Sequence, residues 1–111
     1  MELYRFDLST WRDTKITRTV LEVDEKPKTY ITNEHWKQRI PKSEIGIASG
    51  YSNERVYLLE DDMEKAKSIF LEVLKGKIES EKRKIENTIK YCNENIAKYE
   101  KLILEINNGL E

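Results

Sequence analysis

The feature that most constrains this chain lies in its C-terminal half. From Glu60 to Asn107 it reads as helix almost without interruption, and Ile85, Ile89, Cys92, Ile96, Tyr99, Ile103 and Ile106 recur at alternating gaps of four and three. That spacing holds one apolar seam toward a partner helix. At about 1.5 Å per residue the helix would run on the order of 65 to 70 Å, too far for the first sixty residues to cover. Either the helix turns back on itself or another chain lies against it. We therefore expect self-association through these side chains, giving a dimer or a larger homo-oligomer.

The rest of the chain is short. With 111 residues it has the length of one domain, expected as a sheet region over residues 1–60 and a helical region over 61–111. Charged residues make up 37%, but 20 basic against 21 acidic side chains leave a net charge of -1, so no bulk field favours DNA or an anionic membrane. General nucleic-acid binding is disfavoured. Cys92 is the only cysteine, which excludes an internal disulfide, fits a reducing compartment and leaves open a bridge between two copies. No apolar run approaches the ~20 residues of a membrane span, and Met1 to Leu8 lacks the basic start and apolar stretch of a signal peptide, so a cytoplasmic location is expected.

Glu2 to Leu8 alternates, with Tyr4, Phe6 and Leu8 on one side, as a half-buried strand does. Ser9 to Thr14 is a turn carrying Trp11, either a lid over the sheet or a ring facing a ligand. Lys15 to Val23 and Lys28 to Thr32 flank the break at Asp24 to Pro27 and read as a hairpin. Lys37 to Ile40 reads as a short strand, Ser43 to Ile47 as a turn or single helical turn, and Arg55 to Glu60 as a last strand. Asp61 and Glu64 have the spacing of a helix cap, and Met63, Ala66, Phe70, Val73 and Leu74 form a stripe able to pack on the sheet. Gly76 interrupts the helix at a cost of about 1 kcal/mol against Ala. A break or bend near Gly76 is expected there, the alternative being one continuous helix. Asn107, Asn108 and Gly109 end it. The fold class is α+β: a small antiparallel sheet followed by one or two long C-terminal helices with a coiled-coil-like seam.

Catalysis finds no support in the residues. His35 is the sole histidine, Ser43 and Ser49 follow it without any nucleophile elbow, and one His and one Cys far apart have no metal-ligand spacing. No catalytic residue, metal or cofactor is expected. Anion binding fares better. Residues 37–43 carry three basic side chains and no acidic one, and Arg39, Lys42 and Ser43 supply the donor types that hold phosphate. Tyr30 and Trp36 offer faces on which a base can stack, and Trp11, Arg12 and Arg18 in the first hairpin form a second group of similar chemistry.

The run Lys28-Thr29-Tyr30, then Arg39-Ile40-Pro41-Lys42-Ser43, a Tyr-rich strand and a charged helical tail resembles small proteins encoded by phages of low-GC Gram-positive bacteria. Among these it is similar to the Thoeris anti-defence sponge proteins, which sequester cyclic ADP-ribose-type immune signals in pockets between subunits. The resemblance implies an oligomer, a cyclic nucleotide-like ligand, no turnover, and action in the host cytoplasm. The alternative is a module that binds a host protein through sheet and helix, with no small ligand.

Overall fold

The computed structural model describes residues 1–109. Five strands are followed by one long helix: β1 (Glu2–Ser9), β2 (Lys15–Glu25), β3 (Thr29–Thr32), β4 (Arg39–Pro41), β5 (Arg55–Leu58) and α1 (Met63–Asn107), with a single 3-10 turn at Lys42–Glu44. The sheet is antiparallel with order β4-β3-β2-β1-β5. β2, rich in Ile, Val and Thr, is long enough to pair with β1 along its length while its last residues, Val23 to Glu25, pair with β3. The sheet curls across that shared strand.

Side-chain alternation sorts the core onto two faces. Phe6 lies opposite Val56, and Tyr4 opposite Leu58; this face receives Ala66 and Phe70 from the first turns of α1, with Met63 and Ile69 beside them. The helical stripe read from sequence packs where expected through Phe70, whereas Leu74 stays 43% exposed. The other face starts at Leu3, opposite Leu21, and gathers Val23, Tyr30, Ile40 and Tyr57 under the curled β3–β4 end, with Ile45 packed against them. Thr32 is buried there, and its hydroxyl accepts the Gln38 amide N–H at 2.9 Å, closing the β3–β4 loop.

Two local expectations are corrected. The cap of α1 is Asp62, whose carboxylate accepts the Lys65 N–H at 3.0 Å, one residue later than Asp61. Asp61 is instead drawn to the Arg18 guanidinium of β2. The expected break at Gly76 does not occur, since α1 runs through it as one helix of 45 residues. A single glycine costs a helix only about 1 kcal/mol, and strong helix formers stand on both sides. Ion pairs three residues apart, Glu72 with Lys75 and Glu79 with Lys82, flank it. The helix closes as read, with Gly109 at φ 80 donating its N–H to the Ile106 carbonyl.

Two compact units result. Met1–Lys75 contains the sheet, both core clusters and the docked start of α1, and the second unit begins at Gly76. No helix among the described residues is long and apolar enough to cross a membrane.

Candidate functional site

The expected anion-binding residues do not converge. Tyr30 is 5% exposed within the core, and the Lys42 ammonium sits over its ring at 5.2 Å, so its face is not open to a base. Lys42 also pairs with Glu25 at 3.0 Å. Arg39 is exposed on β4 at the pairing position of Ile31, and Ser43 follows in the 3-10 turn. Lys42 and Ser43 share an open groove with Lys28, Thr29 and Pro41, which Arg39 does not line. Arg18 is held by Asp61.

Trp11 and Trp36 remain open, 79% and 84% exposed. His35 meets Trp36 edge-on at 5.3 Å, and Arg12 next to Trp11 adopts a positive φ of 65. Tyr51, in the loop before β5, is fully exposed as well. Register separates these loops: β3 ends level with Val23, beside the start of β1, whereas Trp11 and Tyr51 lie beyond the Ser9–Lys15 and Asp7–Arg55 pairs at its far end. Tyr51 escaped the sequence reading because its loop carries no cationic neighbour of the kind used to find the other two.

A cluster that sequence reasoning missed lies on the Leu3 side of the sheet. Asp7 accepts from Arg55 Nε at 2.7 Å and from Arg5 Nε at 3.0 Å, so two guanidinium groups share one carboxylate. Arg5 and Asp7 are about a quarter exposed and Arg55 37%. The bond to Asp7 raises the Arg55 pKa further and holds the group cationic. Gln38 reaches the Tyr57 hydroxyl at 3.3 Å on the same face. Alternation along β1 places Arg5 and Asp7 together, but the partner from β5 lies 48 residues away and only strand pairing brings it there. The arrangement joins β1 to β5 and leaves one net positive charge.

Apolar exposure concentrates elsewhere. Leu8, Ile16, Met63, Phe70, Leu71 and Leu74 line an open groove of about 510 Å³ in the first unit, with Lys15 and Lys67 at its rim. Along the second unit the seam residues are uncovered: Ile85 59%, Ile89 55%, Ile96 52%, Tyr99 59%, Ile103 56% and Ile106 64% exposed, with Cys92 exposed among them. Among the described residues no cluster of His, Cys, Asp and Glu has the make-up of a metal site. No family model, curated protein or solved structure matches the chain.

Proposed function

We propose that this is a non-catalytic interaction protein that assembles through α1, the sheet unit being the part it carries into the assembly. The exposed seam supports this reading most directly. Side chains of this size with more than half their surface open present on the order of 100 Å² each. Over the six Ile and Tyr side chains that amounts to roughly 600 Å² per chain, against the ~800 Å² that each partner buries in a standard interface. Scattered exposed apolar side chains need no explanation, but a stripe that keeps heptad spacing from Ile85 to Ile106 is what helix pairing requires. Sedimentation equilibrium at micromolar concentration tests it. The wild type sediments as a dimer or larger, and Ile96→Asp, which sets a charge in the seam, sediments as a monomer; a monomeric wild type overturns the reading.

A second reading, capture of an anionic nucleotide-type signal in the manner that the sponge-like resemblance implies, draws support from one observation. Both tryptophans of the chain stand open on loops of the sheet unit. Stacking a base on such a ring is worth about 1 to 3 kcal/mol. Titration with ADP-ribose and cyclic ADP-ribose then quenches tryptophan fluorescence, and the Trp36→Phe variant loses most of that response. A flat titration up to millimolar ligand removes this reading and leaves assembly as the function.

A further inference from the structure

We infer that the occupant of the α1 seam is a second copy of this chain running antiparallel, staggered so that the two-fold axis passes between residues 97 and 98. The inference deepens the assembly reading and rests on it. In heptad terms Ile89, Ile96 and Ile103 occupy the a positions and Ile85, Cys92, Tyr99 and Ile106 the d positions. Continued toward the N-terminus, the same repeat puts Lys75 and Lys82 at a.

Charge separates the two orientations. A parallel, in-register pair sets Lys82 against its own copy in the seam and brings Glu81 beside the partner's Glu86 on both flanks. Like charges so placed repel, and the lysines lose water as well. The antiparallel pair about residues 97 and 98 removes both conflicts. Its layers match Ile89 with the partner's Ile106, Cys92 with the partner's Ile103, and Ile96 with the partner's Tyr99, each repeated by symmetry. Flanking positions then bring Asn93 beside the partner's Glu100 and Glu86 beside the partner's Asn107, pairs in which an amide faces a carboxylate. Lys75 and Lys82 fall beyond the paired stretch. Moving the register by one heptad returns the conflict, since Glu86 then meets the partner's Glu100 and Lys82 faces the partner's Ile106. Orientation and register are thus selected together, with a large Ile103 filling the space opposite the small thiol.

Disulfide trapping reads this arrangement. With Cys92 retained, Ile103→Cys is oxidised by oxidised glutathione into a covalent dimer whose bridge, mapped on peptides, joins position 92 of one copy to position 103 of the other. The wild type does not cross-link under the same conditions, because eleven residues of offset separate the two Cys92 thiols by about 16 Å along the axis. Bridges between two copies of Cys92 in the wild type, or between two copies of position 103 in Cys92→Ser with Ile103→Cys, establish a parallel pair and overturn the inference. Should Ile103→Cys disturb packing, a nitroxide on Lys84→Cys in a Cys92→Ser background gives an independent measure. That site is exposed and outside the seam. Antiparallel pairing spaces the labels by about 40 Å, parallel pairing by less than about 25 Å. Failure of this inference is distinct from failure of the assembly reading: a parallel or higher-order assembly overturns the orientation alone, whereas a monomer with no interspin coupling overturns both.

Discussion

Gly50 shows how closely one position can be specified. It sits at φ 97, a conformation that favours glycine, and a Cβ added there would lie 2.6 Å from Glu54 Oε1 and push that carboxylate aside. Glu54 in turn ties the loop down. Its carboxylate accepts the Ser52 N–H at 2.8 Å and the Ser52 hydroxyl at 3.0 Å. The bond from its own N–H, followed by these two, lowers its pKa below the ordinary value of 4.5. A lowered folded-state pKa adds stability above the unfolded value that is lost as pH falls through the folded one. Gly50→Ala is expected to cost about 1 to 3 kcal/mol from strain, with the loss of the Ser52 contacts added. Denaturant unfolding at pH 7 and at pH 3 checks this: the gap between variant and wild type narrows at the lower pH, where the Glu54 carboxylate contributes less. An equal gap at both would assign the whole effect to backbone strain.

At the scale of elements, the sequence was most legible where a single period ran unbroken. The alternation of Tyr4, Phe6 and Leu8, the Met63 to Phe70 stripe and the Asn107 to Gly109 terminus all stand as read, because each is a local pattern. Gly76 misled because propensity alone marked it as a hinge, while helix on both sides needed only about 1 kcal/mol to carry through. Asp62 displaced Asp61 as cap because Asp61 has a partner in Arg18, 43 residues earlier, a contact no local pattern contains. The candidate site was the least legible part. Tyr30 and Arg39 come from different strands, and the register sets Tyr30 opposite Ile40 on the buried face while Arg39, opposite Ile31, stays exposed. Strand pairing decides burial here. Arg5, Asp7 and Arg55, by contrast, looked like ordinary alternating surface until β1 and β5 paired.

For the whole molecule, the division falls at Gly76. The two core clusters draw on residues from Leu3 to Phe70 and on none beyond, so a chain ending at Lys75 retains its complete interior. Domains of 60 to 80 residues bury little surface in excess of what folding requires, but many fold alone. Residues 1–75 are therefore expected to fold as a monomer whose melting temperature does not change with concentration. The helix beyond Gly76 has no buried side chain within its own chain, and an unsupported helix owes its stability to propensity and to surface pairs worth about 0.2 to 0.5 kcal/mol each. Association would supply the rest. Helical circular dichroism of the full chain should consequently melt at a temperature that rises with protein concentration, by mass action, while the near-ultraviolet signal of the sheet unit melts independently of it. Ile96→Asp should abolish the concentration dependence and leave the sheet transition where it was. A single, concentration-independent transition in the full chain, shared by both signals, would show instead that helix and sheet are stabilised as one unit without a partner.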